Sequence, residues 1–317
     1  MRIRLPCKQM NIEVLLTEAE IAQEFTESIE ARDLPEKFFY WFQQSVRCWR
    51  ALAQDSAHQN LQILWDQAAE RVRDCTGHFK EQIPIVSFGA GDGLKDRRLI
   101  QSLQAAGRAV RYFPVDASQA LLETACAAAE DDEADVLGIK ADISSPVHLV
   151  LASDACESPK LVLMAGNTLG GFDPMEQIRH VAAALHEGDR LALDVELYSD
   201  SAKDIAVQQL QHAFAFSPLQ GIGIQEEDGE MRFEVKRDER HAGLYMVARH
   251  FRANRDLRVT VLGKDIMLER GERIFMNFRY LFTPEAFRWL LEQHGKLNVL
   301  EVNESSDQRF MLAICSK

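Results

Sequence analysis

The stretch "PIVSFGAGDGLKDRRLI", Pro84 to Ile100, holds the residues whose spacing is best suited to chemistry. An apolar, β-branched run leads into Gly89-Ala90-Gly91-Asp92-Gly93, and a helical pattern follows. Glycines let the chain bend sharply and let a ligand approach the backbone closely. The helix start behind them offers N–H groups without intrahelical partners. In a dinucleotide site those groups face a pyrophosphate. The spacing here is G-x-G-x-G, with Leu94 where G-x-G-x-x-G has its third glycine. A plain strand–helix turn would also explain it. Two carboxylates add to the signal. Asp116 closes "YFPVD", where a carboxylate can accept both hydroxyls of a ribose; a helix N-cap is its plainer reading. Asp142 and Ile143 follow "GIKA", where an adenine amine would find an acceptor and an apolar wall. Open α/β sheets bind ligands at such successive strand ends.

These positions need a scaffold. From Pro84 the apolar runs "IVSFG", "AVRYFPVD", "ADVLGIKAD", "KLVLMAGN" and "RLALDVEL" alternate with "LKDRRLIQSLQAAG", "SQALLETACAAAEDD" and "DPMEQIRHVAAALHEG". That alternation predicts βαβ units and a parallel sheet covered on both faces. Ser118 is expected to cap the second helix, and Asp173-Pro174 to supply an N-cap and N1 pair. Gly107 and Gly188 stand where helices should stop. After Tyr198 the alternation breaks, and residues 200–280 read as helix-like and polar segments, then antiparallel strands. "TPEAFRWLLEQHG" is a helix, and "LNVLEVN" and "QRFMLAICS" form a hairpin across "ESSD". Five βα units closed by a helix and an antiparallel hairpin match the seven-stranded, Rossmann-like α/β sheet of class I methyltransferases. An NAD-type domain more often ends in a sixth parallel strand.

Residues up to about 80 read as helical, with Phe38, Phe39, Tyr40, Trp41 and Phe42 in a row. Five consecutive aromatics cannot all face one core, so some face a neighbouring domain or a ligand pocket. The expected division is a helical segment over 1–60, a cofactor-binding core over 61–199, an inserted part over 200–282, and the end of the core over 283–317. Residues 1–60 and 200–282 together would form a smaller α+β substrate domain.

The chain has 317 residues, ample for a sizeable core, and a formal charge of -13. No basic run or stripe is present, which argues against nucleic acid and against an anionic membrane surface. Cys7, Cys48, Cys75, Cys126, Cys156 and Cys315 are scattered without a C-x-x-C pair, and the nine histidines lack metal-ligand spacing. No metal site is expected. No window approaches a membrane-spanning length, and the start lacks the apolar stretch of a signal peptide. A cytoplasmic protein in a reducing compartment is expected.

Taken together, "FGAGDGLKD", "YFPVDAS", "LVLMAGNTLGGFDPMEQ" and "GERIFMNFRYLFTPEAF" resemble the histidine-specific Nα-methyltransferases of ergothioneine biosynthesis, from about Leu34 onward. The resemblance implies S-adenosylmethionine (SAM) as cofactor. The implied contacts are Gly89, Lys95, Asp116, Asp142 and Ile143, and the candidate set extends to Phe88, Gly91, Ala117, Gly166, Asn167 and Thr168. Lys95 matches the lysine that meets the methionine carboxylate; a solvated helix-start lysine is its plainer reading. "LPEKFFYW" is similar to the family's aromatic segment beside the amino-acid pocket, which makes Tyr40 a substrate candidate. The substrate half departs from the family. Gly171 stands where the family has the asparagine that holds the substrate amine and carboxylate. Asn277 and Arg279 stand where it has the glutamate and serine that bind imidazole. A guanidinium only donates hydrogen bonds, so Arg279 cannot replace a serine acceptor. It suits a carboxylate or phosphate, or an ordinary surface ion pair. "RIFMNFRY" alternates like a strand, so Asn277 and Arg279 share one face.

Glu196, ending "LDVE", and Tyr198 are the candidate bases, with a structural ion pair as the other reading of Glu196. The leading expectation is a SAM-dependent methyltransferase acting on a small, amino-acid-like or anionic metabolite other than histidine. The alternatives are a SAM-binding protein without transfer activity, acting as a scaffold or regulatory partner, and an NAD(P)-dependent oxidoreductase. The acceptor atom, the number of methyl groups and the oligomeric state are not encoded in these motifs.

Overall fold

The computed structural model describes residues 10–52, 56–79, 82–203 and 211–317. Its main sheet runs β1 (Ile12–Val14), β5 (Gly138–Lys140), β3 (Ala109–Asp116), β2 (Gln82–Phe88), β6 (Leu161–Met164), β7 (Arg190–Glu196), β14 (Phe310–Ser316), β13 (Asn298–Glu304), with β4 (Asp135–Val136) beside β3. Neighbours from β1 to β7 are parallel; β14 and β13 are antiparallel. This is the class I methyltransferase order, closed by the expected terminal hairpin. Two strands exceed the expected seven. β1 adds to the edge, pairing Ile12 with Gly138, and short β4 pairs with β3.

Helices cover both faces because the strands are apolar on both. Along β2, Val86 and Phe88 face one core while Ile83 and Ile85 face the other, as the two-residue period of a strand requires. The first core is closed by α6 (Pro146–Ser153), α7 (Pro174–Ala183) and α9 (Pro284–Trp289). The second is closed by α3 (Ser56–Cys75) and α4 (Leu94–Ala105), with α5 (Gln119–Asp131) beside them. Asp173 caps α7 as expected, accepting from Met175 and Glu176 N–H at 3.1 Å each. Ser118 occupies the N-cap position of α5, but its hydroxyl makes no capping bond. Gly107 closes α4 at φ +79°, whereas Gly188 lies beyond the end of α7, in the turn into β7. Helix α6 was not anticipated. Val147 and Leu151 point outward from it at 62% and 50% exposure, so it has no clear polar face to reveal its period.

A third core lies over the carboxyl ends of the strands. It joins Ile21, Phe25 and Ile29 of α1 (Glu18–Ala31) to Phe214 and Leu219 of α8 (His212–Gly221), and to Phe251 and Met276. The last two come from an antiparallel sheet of β12 (Arg273–Phe282), β9 (Leu244–Ala253) and β8 (Gly229–Arg237). A hairpin of β10 (Leu257–Val261) and β11 (Lys264–Leu268) adds to the same core. The row of five aromatics forms a 3₁₀ turn, Glu36–Tyr40, leading into α2 (Gln43–Leu52). The turn fans them out: Phe38 and Phe39 are fully buried, Trp41 and Phe42 pack on Phe25, and Tyr40 reaches a cavity.

Candidate functional site

A cavity of about 270 Å³ lies between the carboxyl ends of the parallel strands and the third core. Its floor is the glycine turn. Gly89 and Gly91 adopt φ of +71° and +59°, left-handed values that cost a side-chain-bearing residue energy. A Cβ at Gly89 would come within 2.8 Å of Thr168 and 3.2 Å of Ile143. One at Gly91 would come within 3.2 Å of the Trp49 ring. The turn thus draws three strand ends and α2 to one point.

Asp116 stands at the next strand end. Its Oδ2 accepts from Gly91 N–H at 2.9 Å and its Oδ1 from Ser118 N–H at 2.8 Å. Each oxygen keeps a lone pair for a further donor. Burial pushes its carboxyl up to about 6, against the pull of these backbone bonds. Asp142, one strand further, is more committed than the sequence suggests. Its Oδ1 takes the N–H and hydroxyl of Ser144, and its Oδ2 takes Lys37 Nζ at 2.6 Å. Burial opposes ionisation there, but Lys37 and Ser144 prevail and hold the carboxyl below its ordinary range. An adenine amine would therefore share Asp142 with Lys37, a residue the motif reading did not include.

The loop after β6 forms the next wall. Asn167 sits at φ +57°, held by Asp194, which accepts from Gly166 and Asn167 N–H at 2.7 Å each. Trp65 Nε1 donates to the same carboxylate at 2.8 Å. Asn167 in turn accepts from Glu196 N–H at 2.9 Å, and Thr168 donates to Ala165. Asp194 is fully buried, and burial raises its carboxyl despite these donors. A lone carboxylate inside the apolar run "LALDVEL" is the signal that could have found it. Lys95 Nζ lies beside this loop, 3.3 Å from where a Gly166 Cβ would be. Among the described residues no hydrogen bond or ion pair occupies it.

The opposite wall is made of side chains from distant segments. Asn277 and Arg279 of β12 enter the cavity together, as the strand period predicted. Asn277 accepts from Arg249 at 3.3 Å and donates to Glu36 at 3.3 Å. Arg249 also bonds Gln211; burial first, then the nearby Arg279 charge, lowers its guanidinium to about 10. Glu36 accepts from the Tyr40 hydroxyl at 3.1 Å, and burial raises its carboxyl. Gly171 faces it closely: a Cβ would lie 3.1 Å from Glu36 Cγ, so Glu36 would have to shift by a few tenths of an ångström. Sequence reasoning missed Glu36, Arg249 and Trp49, whose only shared signal is position in space.

Three expectations need correction. Phe88 is fully buried in the first core and does not line the cavity; only from Gly89 does the chain turn upward. Tyr198 lies outside the cavity, stacked on Tyr245 at 3.6 Å with its hydroxyl on Asp200. Its backbone N–H bonds Phe282 O at 2.8 Å, which carries the chain away from the site just past β7. Glu196 does line the cavity, but as an ion-paired group: Arg279 Nη1 is 3.2 Å from one oxygen and Arg309 3.1 Å from the other. The ion pair of its structural reading is thus present. The other candidates, Gly89, Gly91, Lys95, Asp116, Ala117, Asp142, Ile143, Gly166, Asn167, Thr168, Tyr40, Gly171, Asn277 and Arg279, all border this one cavity.

Among the described residues no cluster of histidine, cysteine or carboxylate side chains could hold a metal ion, and no helix is long and apolar enough to cross a membrane. Comparison with known proteins adds a family. The model of the histidine-specific, SAM-dependent methyltransferases matches residues 18–317. No curated protein matches the chain. Similar solved structures include a SAM-dependent methyltransferase from Clostridium acetobutylicum, 13% identical over 80% of this chain and 90% of that one, with a TM-score of 0.42. Another is SAM-bound CalS10 from Micromonospora echinaspora, an amino pentose methyltransferase, 13% identical over 87% and 98% with a TM-score of 0.40. These overlaps are loose, and the family match carries the assignment.

Proposed function

The chain belongs to the histidine-specific, SAM-dependent methyltransferase family, and from that premise we propose that this methyltransferase acts on a small, amino-acid-like or anionic metabolite other than histidine. The observation that carries the substrate class is the charge of the wall facing the glycine turn. Arg249, Arg279 and Arg309 stand there against the carboxylates of Glu36 and Glu196, an excess of one positive charge. Arg279 keeps its Nε buried and without a partner among the described residues. A carboxylate or phosphate on the substrate would neutralise the excess and take that donor.

The residues present fit SAM. Lys95 offers an unpaired cation for the methionine carboxylate, Asp116 two free lone pairs for the ribose hydroxyls, and Ile143 an apolar face for the adenine. The turn at Gly89 and Gly91 presents main chain to the cavity, and a Cβ would press on Thr168 at 2.8 Å in the first case and on Trp49 at 3.2 Å in the second. When bound, SAM supplies a methyl group on a sulfonium, which is already a good leaving group. The protein's contribution is then placement. Holding an acceptor in line with the methyl is worth roughly 7–11 kcal/mol. Asn277 and Arg279 would fix the acceptor from above, and the loop Gly166–Thr168, braced by Asp194, would fix the cofactor from the side. In this reading the segments 1–60 and 200–282 act as the substrate-binding part. The described cysteines are free, which suits a cytoplasmic enzyme. The non-catalytic reading gains no support, because one continuous cavity joins both walls.

The test is transfer of labelled methyl from SAM into a cell extract, split into small-molecule and macromolecular fractions. Label is expected in the small-molecule fraction. Label confined to macromolecules would overturn the substrate class.

A further inference from the structure

We propose that Glu36 is a catalytic carboxylate that contacts the substrate and takes the proton shed by an amine acceptor. This rests on the reading of the cavity as a methyl-transfer site. Glu36 opens the 3₁₀ turn Glu36–Tyr40 and lines the cavity opposite the glycine turn. Its oxygens accept only neutral donors, the Tyr40 hydroxyl at 3.1 Å and Asn277 Nδ2 at 3.3 Å. No cation comes within salt-bridge distance of it among the described residues. On the same wall Glu196 is paired with Arg279 and Arg309, and across the cavity Asp142 is paired with Lys37; Asp116, Asp92 and Asp96 lie on the glycine-turn side, accepting from Gly91 N–H, Leu94 N–H and the Tyr112 hydroxyl. Each Glu36 oxygen keeps a lone pair for a donor from the cavity.

Gly171 supports the same reading from the other side. It needs no unusual backbone angle, yet a Cβ there would lie 3.1 Å from Glu36 Cγ and 3.4 Å from Cδ. The missing side chain leaves room for Glu36 rather than for a turn. The charged and titratable groups facing Glu36 are Tyr40 on its own turn, Arg249 on β9 and Arg279 on β12. Burial outweighs the pull of the two arginines, so the carboxyl titrates above its usual range. A base poised nearer the working pH transfers a proton with less imbalance.

The chemistry balances as follows. The acceptor nitrogen's lone pair forms the new bond to the methyl carbon while the carbon–sulfur bond breaks and its electron pair leaves on sulfur. Positive charge therefore moves onto nitrogen, where a carboxylate attracts it; a phenolate or thiolate acceptor would be repelled by the same group. The N–H proton then passes to Glu36, which becomes neutral.

The test uses two probes whose identity does not depend on the acceptor. S-adenosylhomocysteine (SAH) is one; sinefungin, which carries a protonated amine where SAM carries its methylsulfonium, is the other. Calorimetry on the intact protein should show sinefungin bound at least about tenfold more tightly than SAH, as a charge-assisted bond implies. Glu36→Gln should erase that preference and leave SAH affinity unchanged. Gly171→Ala, which displaces Glu36 without removing its charge, should reduce it. The same ratio in parent and Glu36→Gln protein would overturn the proposal. In labelled-methyl transfer at saturating SAM, Glu36→Gln should lower the rate by roughly 10²–10⁴-fold and shift the acidic limb of the pH profile. An unaltered rate and profile would also overturn it. Label entering only macromolecules would sink the small-substrate reading, while the sinefungin ratio would still judge Glu36.

Discussion

The sheet side of the cavity is lined largely by backbone, and the opposite side by charged and polar side chains that bond one another. On the first side, Gly89, Gly91, Gly166 and Asn167 present main chain, with Asp116 and Asp194 each tying down two N–H groups. On the second, Glu36, Glu196, Arg249, Asn277, Arg279 and Arg309 come from five separate stretches and meet through side-chain tips. The first arrangement depends on φ angles and register, which tolerate few residue types. The second depends on charge complementarity, which many sets of residues can satisfy. In the proposed reading a fold can thus keep its cofactor floor while its substrate wall varies, and Gly171, Asn277 and Arg279 stand on the substrate side.

The strongest way to break this contrast is Asp116→Ala. Two ribose hydroxyls would lose a charged acceptor, each bond worth roughly 1.5–3 kcal/mol, so SAH affinity should fall by about 10²–10⁴-fold in calorimetry. An unchanged dissociation constant would remove Asp116 from the cofactor floor. Arg279→Ala acts on the other wall. It should raise KM for the labelled small-molecule acceptor by about tenfold or more and leave SAH affinity alone. Equal loss in both quantities would mean that the walls are not separable.

Acidity separates the walls next. Asp116 titrates at about 6, and its carboxylate form is the one that accepts hydroxyls. SAH affinity should therefore fall, approaching tenfold per pH unit, below about pH 6. Stability moves the other way. A carboxyl raised in the folded state contributes stability that is full below its unfolded value and lost as pH rises through about 6. Asp96, held by the Tyr112 hydroxyl and also at about 6, adds to the stability trend but should not touch affinity. Paired melting and calorimetry between pH 5 and 8 should show opposite signs; a common sign would refute the assignment.

The smallest expected effect sharpens the role of the brace. Trp65→Phe removes the buried N–H donor to Asp194 and should cost about 1–3 kcal/mol of stability in denaturant unfolding. SAH affinity should weaken only a few fold, because two backbone donors still hold the loop. Loss of affinity as large as that of Asp116→Ala would make Trp65 part of the cofactor floor itself.

What was legible in the sequence follows the same division. The alternating runs, the G-x-G-x-G turn, Asp116, the Asp173 cap and the terminal hairpin all lie in short stretches whose period and turn chemistry act locally. They determined the α/β order and most of the glycine-turn side of the cavity. Where local signals were absent the reading missed: α6 has no polar face, and β1 is three residues joined to a strand more than a hundred positions away. Phe88 and Tyr198 were one step wrong in direction, because a motif names neighbours along the chain and not which way each points. The wall facing the glycine turn was beyond local reading. Glu36 meets Asn277, Lys37 meets Asp142, and Arg309 meets Glu196 only after the third core has brought α1, the aromatic turn, α8 and β12 over the strand ends. Charge pairing acts through space, and no periodicity in the chain records it; only the tertiary structure decided that Glu196 is paired and Glu36 is not.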